Sequence, residues 1–351
     1  MSINPIHIRL LSQQLAAPQF TRPEEVVAHF GAMQAQEYRM MRWAVEMRCK
    51  RPSEKAFVKA YNTGKIIRLH LLRGTWQLVA AEDYAWMLDL CGAKARQVIR
   101  GWMHASKIEI DEDELHQIRE ILIAVTEVKG SVTKEDYHEA LAARGITMDD
   151  HRLSYHIRFA ELDGVLCSGD LLPMKATYAL TAMKIPVIEK KDREEALALL
   201  ARKYFQSHQP ATLEDFVWWS GLGINDCRRG IELLGDEIHL ERYAGRDYYL
   251  FEGYRTRGAK NDSCLLIPPY DEYLIGYKSR DVVLDPEQSH HAHNNSGIFQ
   301  PVIAHGGKIC GNWSPFATKL EAKFFEEGHR EEELVKAWEE YVRYSQSRFK
   351  K

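Results

Sequence analysis

Paired cysteines are missing from this sequence. Its six cysteines (Cys49, Cys91, Cys167, Cys227, Cys264, Cys310) stand singly and no CxxC occurs. Neither a disulfide framework nor a cysteine-based zinc site is indicated, and free thiols in a reducing cytoplasm are expected. Long apolar runs are missing too: nothing approaches the roughly 18 residues of a membrane-spanning helix. The first residues carry no apolar core of the signal-peptide kind. GxxxxGK[ST], HExxH and GxSxG are all absent, which removes the simplest nucleotide-binding, zinc-peptidase and serine-hydrolase readings. No Pro/Gly/Ser-rich linker interrupts the chain, so its modules are expected to pack on one another. An excess of positive charge is also lacking, since the formal net charge is −3.

That total conceals an uneven distribution. From Arg39 to Arg100 there are 13 Lys/Arg against five acids, Glu46, Glu54, Glu82, Asp83 and Asp89. The acidic excess sits in IEIDEDELH and in FFEEGHREEEL. An acidic chain can therefore present a basic face to nucleic acid, although such charges are equally compatible with an ordinary solvated surface. With 351 residues, 45% hydrophobic and 28% charged, the chain is folded and long enough for two to four subdomains.

The periodicity predicts a helix over 5–16, with Pro5 in its first turn, and a second from a Thr21 cap with Glu24 three residues on to a Gly31 stop. Helices are expected at about 40–48 and 53–64, followed by two strands in KIIRLHLLRGTWQLV with a turn near Arg73-Gly74. AEDYAWMLDLCG and AKARQVIRGWMHA read as two further helices. Helices followed by a two-stranded ribbon make the winged-helix pattern, and the pattern returns twice. Residues 112–124, 133–144 and 151–164 read as helices before VLCSGDLLPMKATYAL. REEALALLARKYFQSH, TLEDFVWWSGLG and INDCRRGIELLG precede the hairpin IHLERYAGRDYYLF. From about 261, CLLIPPYDEYLIGY and SGIFQPVIAHGGKICGNW read as short strands of a small β-barrel or sheet module. The tail from about 318 reads as helix. The expected class is α+β: tandem winged-helix (helix-turn-helix) domains, then a small β-barrel and a C-terminal helix. The expected boundaries are 1–108, 109–190, 191–258, 259–325 and 326–351.

Winged helices are foremost nucleic-acid modules, with the third helix in a groove and the wing on the backbone, although some mediate protein contacts. Three in tandem, with basic character near the first, point to duplex DNA bound through its phosphates. Other candidates are less specific. Residues 289–295, SHHAHNN, place three histidines close together but without a matching acid or cysteine cluster, and read as a polar loop. In PPYDEYLIGYKSR, Asp271 or Glu272 could be catalytic, or could form a structural ion pair with a base such as Arg280. The Trp218-Trp219 pair reads as core rather than as a stacking platform.

One short stretch, GAMQAQEY at 31–38, stands out. If Gly31 ends the helix, the following residues are extended, and in extended chain Gln34 and Gln36 point the same way. Amides do not titrate; they orient a water or pair with a base edge. Taken alone, the pair reads as structural.

GAMQAQEY, IIRLHLLRGTWQLVAAEDY, SHQPATLEDFVWWSGL, LLIPPYDEYLIGYKSR and the KICGNW turn, in that order over nearly the whole chain, resemble the winged-helix DNA glycosylases of the AlkZ/YcaQ type. That family is built from tandem winged helices and a β-barrel around a DNA channel, and carries Gln-x-Gln or Gln-x-Asp at the lesion. Gln34 and Gln36 fall on the Gln-x-Gln form. The resemblance implies a monofunctional glycosylase that releases N7-alkylguanine or N3-alkyladenine from damaged double-stranded DNA, with unhooking of interstrand crosslinks a further activity of the family. It implies no metal and no organic cofactor. Arg39, Arg42, Arg68 and Arg73 are the expected phosphate contacts. The expected protein is a monomer, cytoplasmic and nucleoid-associated when bound to DNA. The alternative is a non-enzymatic winged-helix regulator; a protein-interaction scaffold is a third reading.

Overall fold

The structure is a computed structural model that describes residues 4–186, 190–258, 263–326 and 331–349. Helix α1 (Pro5–Ser12) starts at proline under an Asn4 cap and ends four residues earlier than its periodicity suggests. Gln14 and Ala17 take positive φ there and turn the chain back. Helix α2 (Pro23–Phe30) is capped by Glu25, whose carboxylate accepts from the Thr21 and Arg22 amides, rather than by the expected Thr21–Glu24 box. It ends at Gly31, whose φ of +76° is readily open only to glycine.

The chain leaves that stop as strand β1 (Ala32–Gln34). Two helices follow, α3 (Met41–Glu46) and α4 (Glu54–Asn62). Next come β2 (Ile66–His70) and β3 (Trp76–Ala80). The three strands form one antiparallel sheet in the order β1-β3-β2, with Gln34 opposite Gln77. An extended segment after Gly31 is what the sequence predicted; its pairing with β3 is the structure's addition.

Helix α5 (Ala81–Ala105) corrects the sequence reading, which split it at Gly92. Glycine inside a helix costs only about 1 kcal/mol, and the apolar stripe Trp86, Met87, Leu90, Ala95 and Ile99 is buried on both sides of it. Then come α6 (Glu112–Lys129), α7 (Lys134–Ala142) and α8 (Asp150–Leu162), with the pair β4 (Leu166–Ser168) and β5 (Tyr178–Leu180). A short α9 (Thr181–Lys184) precedes α10 (Arg193–His208), α11 (Leu213–Ser220) and α12 (Ile224–Glu232). The hairpin β6 (Ile238–Tyr243) and β7 (Arg246–Phe251) follows, with Ala244 and Gly245 both at positive φ. Two central residues of that kind suit a tight hairpin.

The last part departs furthest from expectation. Strands β8 (Cys264–Ile267), β9 (Val302–His305) and β10 (Lys308–Trp313) are joined by β11 (Ala322–Phe324), which lies in the tail expected to be helical. They form an open four-stranded sheet in the order β11-β10-β9-β8, not a closed barrel, among the described residues. Between β8 and β9 lie two helical turns, α13 (Glu272–Ile275), where strand was expected, and α14 (Ser289–Ala292), in the stretch read as a polar loop. Asp271 explains the first: its side chain caps the Tyr273 amide and starts a turn. Helix α15 (Glu331–Phe349) closes the chain and packs through Leu334, Ala337 and Tyr341 beside Trp43 and Trp313.

The main core joins these parts. Ala32, Ile67 and Leu69 of the first sheet share one buried cluster with Leu200, Tyr204, Phe216 and Trp219 of α10 and α11. A second places Leu10 and Leu11 of α1 against Ile267, Val302 and Ala304 of the last sheet. The N-terminal helix is thus packed against the last sheet.

Between β2 and α8, the Glu161 carboxylate meets His70 Nδ1 at 2.5 Å, fully buried, with Arg68 and Arg158 nearby. Burial pushes the Glu161 carboxyl up to about 8 and the His70 imidazole well below its usual range, so the pair is neutral overall. A folded-state value above the unfolded 4.5 means stability fully present below about 4.5 and lost as pH rises through about 8. Below about 6.5 the lowered His70 cancels this slope, because there the unfolded imidazole binds a proton that the folded one does not, so stability should fall between about 6.5 and 8, by on the order of 2 kcal/mol in thermal melts. Glu161→Gln should flatten the slope, and an unchanged slope in that variant would refute the assignment.

Candidate functional site

The two glutamines occupy different environments. Gln34 ends β1 and is buried; Gln36, two residues on and past the end of the strand, is exposed. Sheet pairing continues one residue past Gln34, where the Ala35 amide donates to the Trp76 carbonyl at 2.8 Å. The Ala35 carbonyl accepts both Nε and Nη2 of Arg68 at 3.1 Å. The strand that presents Gln36 is therefore pinned on both sides of Ala35.

Gln34 is held at side chain and backbone. Its Oε1 accepts from Gln77 Nε2 at 2.8 Å, Arg73 Nη2 at 3.0 Å and Thr75 Oγ1 at 3.2 Å. Its backbone N–H donates to Glu272 Oε1 at 2.6 Å. The other carboxylate oxygen meets His208 Nε2 and Trp219 Nε1, both at 3.1 Å. Ser207 Oγ lies 2.8 Å from His208 Nδ1, on the far side of the ring. Glu272 is 1% exposed. Burial alone would raise its carboxyl, but the hydrogen bond and charge of His208, the Gln34 amide and nearby Arg73 outweigh it. The carboxyl is held below its usual range, so it is ionised. Burial in turn lowers His208 against the pull of Glu272. Gly276 closes the pocket: a Cβ there would sit 2.6 Å from His208 Cδ2 and from the Glu272 carbonyl.

Arg73 reaches this point because the β2–β3 turn places it in the left-handed region, φ +56°, followed by Gly74 at +69°. Its Nη1 donates to the Trp218 carbonyl at 3.2 Å and to that of Trp219. Burial lowers its pKa while Glu272 supports the charge. Beside it, the Trp218 ring is 39% exposed, with Arg280 5.5 Å away. Trp219 is core, as the sequence suggested for the pair, but Trp218 faces outward.

The four arginines expected on phosphates divide. Arg73 is partly exposed beside Gln34. Arg39 is also partly exposed, bonded to Glu37 at 3.2 Å and stacked 3.5 Å over Phe316. It borders a cleft of about 600 Å³ lined by Glu37, Tyr270, Phe299 and Phe316. Arg42 and Arg68 do not lie at the surface. The Arg42 side chain is 6% exposed and pairs with Glu54 at 2.8 Å. Arg68 is 4% exposed, flat against Trp76 at 3.6 Å, and bonded to Ala35. Their basicity serves internal partners.

Sequence reasoning named Glu272 only as one of two acids and passed over His208, Thr75 and Gln77. Asp271 turns out to pair with Arg48, both buried, at 2.7 and 2.9 Å. Arg280 bonds instead to the Leu274 and Lys278 carbonyls. The spacing of Gln77, nine residues after Arg68 on a predicted hairpin, gave no signal, because strand register decides what faces Gln34.

A family model described as "DNA glycosylase AlkZ-like" matches residues 27–344. The chain is similar to an "Interstrand DNA cross-link repair glycosylase" from Streptomyces sahachiroi, 24% identical over 321 residues covering 86% of this chain and 85% of the relative. Among solved structures it is similar to Streptomyces sahachiroi DNA glycosylase AlkZ, with a TM-score of 0.76 at 20% identity over 99% and 98% of the two chains.

Proposed function

The chain belongs to the AlkZ-like DNA glycosylase family, enzymes that hydrolyse N-glycosyl bonds, and from that premise we propose that its substrates are alkylated purines in duplex DNA. N7-alkylguanine and N3-alkyladenine are the substrate class, alone or within interstrand crosslinks. The three helix-and-hairpin units act as winged helices around the duplex, with Arg39 and Arg73 near the phosphates. Arg68 acts from inside, by holding the Ala35 carbonyl, while Arg42 is held by Glu54. The observation that carries the reading is Gln34, anchored on strand β1 beside an exposed Gln36.

The chemistry suits amides. An alkylated purine is already cationic, so no strong acid is needed to activate its departure. The C1′–N electron pair passes to the purine, which leaves neutral. Water bonds to C1′ and its proton passes to solvent. The protein must orient that water and tolerate positive charge building on the sugar, and fixed amide dipoles do both. A transcriptional regulator of this fold would read a sequence and leave damaged bases in place.

The test is single-turnover excision from a labelled duplex carrying one N7-methylguanine, with alkali to reveal abasic sites, and a crosslinked duplex in parallel. Release of either lesion supports the proposal. Failure on both, alongside tight binding to one undamaged sequence, would favour the regulator.

A further inference from the structure

The two glutamines are not equivalent, and the difference lies in what Gln34 has left to offer. Arg73 Nη2 has only hydrogens to give, so the Gln34 atom facing it at 3.0 Å is the carbonyl oxygen and not the amide nitrogen. That oxygen also faces Gln77 Nε2 and Thr75 Oγ1. A carbonyl oxygen has two lone pairs. Arg73 and Gln77 match both, while the single Thr75 hydroxyl hydrogen has the Leu72 carbonyl at 3.0 Å as its nearer acceptor, so no acceptor capacity remains for a water. The Gln34 Nε2 meets no acceptor among the described residues. Gln36, in contrast, is exposed and makes no side-chain hydrogen bond among them.

We propose that Gln34 works as a hydrogen-bond donor, its amide locked by Arg73, Thr75 and Gln77 as positioning residues, while Gln36 alone supplies the amide acceptor for the attacking water. This rests on the glycosylase reading above. The donor addresses a lone pair in the substrate complex, either on the departing purine or on the water oxygen. A donor at the purine favours the electron pair arriving from C1′. A donor at the water holds its oxygen while Gln36 takes a proton's hydrogen bond.

The experiment compares Gln34→Glu with Gln36→Glu on the N7-methylguanine duplex under single turnover. Gln34→Glu keeps an oxygen against the clamp but replaces the outward N–H with an acceptor. Its rate should fall about 100-fold or more, as for loss of one preorganised donor, and match Gln34→Ala. Gln36→Glu retains an acceptor and should stay within about tenfold of wild type. A Gln34→Glu enzyme within threefold of wild type overturns the donor assignment.

Gln77→Leu tests the clamp. Its rate should fall with the Kd for undamaged duplex unchanged, and the effect should vanish in a Gln34→Ala background, because coupled residues are not additive. Equal Gln77→Leu effects in both backgrounds would reduce Gln77 to a packing role. Melting curves identify any variant that does not fold, in which case the Gln77 cycle decides. A duplex with 3-deaza-N7-methylguanine separates the two supported targets. The Gln34→Ala defect disappears on it if the donor reaches the purine N3, and persists if it reaches the water. If wild type excises nothing, the glycosylase reading itself has failed; if wild type excises and Gln34→Glu does too, only the donor assignment has.

Discussion

An Asp271→Ala protein should be about 3–5 kcal/mol less stable than wild type, the usual cost of leaving one member of a buried ion pair alone. Arg48 and Asp271 are 0% and 1% exposed in their side chains. The guanidinium is bidentate on the carboxylate and also donates to the carbonyls of Gln13 and Ala44. Asp271 additionally caps the turn that carries Glu272. Removing it strands a cation under Phe30, whose ring lies 5.2 Å from Arg48, and releases that turn. Arg48→Met, which strands the anion instead, should cost a similar amount. Replacing both residues with well-packed apolar groups should recover much of the loss, since the pair's desolvation penalty is removed with it. Urea titrations of the two single variants and the double variant measure this. A loss below about 1 kcal/mol in Asp271→Ala would mean that solvent reaches the pair.

Gln36→Ala should do the reverse: no measurable change in melting, and single-turnover excision lower by about 10²–10³. Gln36 is exposed, and surface truncations away from special features stay within about ±0.5 kcal/mol. The extended backbone around it is held by Ala35 and Arg68, not by its own side chain. The substitution should therefore leave the strand where it is and remove only the amide. Because the acceptor is lost from the reacting complex, the saturated rate should fall while the Kd for undamaged duplex stays constant. A parallel loss of binding would place Gln36 among DNA contacts and would argue against a role in orienting water.

Much of this arrangement could be read before any coordinates. Gly31 announced the end of α2, and the extended chain beyond it was a local consequence. The hairpin at Ala244-Gly245 was equally local, with Gly245 taking the positive φ that glycine adopts freely. What escaped was non-local. Glu272 donates nothing to the sequence pattern around Gln34, yet it lies 238 positions away and fixes its backbone. Gln77 faces Gln34 only because β1 pairs with β3 rather than β2. The barrel expectation failed for a related reason. Strand-like composition between 264 and 313 does not say how edges meet, and Asp271 turned part of it into helix. Basic residues misled in their own way: Arg42 and Arg68 look like surface cations in a list, but a guanidinium can stack on an indole and bond to carbonyls indoors.

The link between Gln34 and Glu272 also spans most of the chain's synthesis. Synthesis runs from the N-terminus at roughly 5–20 residues per second. Both glutamines therefore emerge tens of seconds before the carboxylate that anchors their strand. A ribosome-bound chain that has made only its first sheet carries the Gln-x-Gln sequence without that anchor. The same holds for a protein cut short anywhere before residue 272. Such fragments carry both glutamines but lack the carboxylate that holds the Gln34 backbone, so that strand meets its last support only once residue 272 has been made.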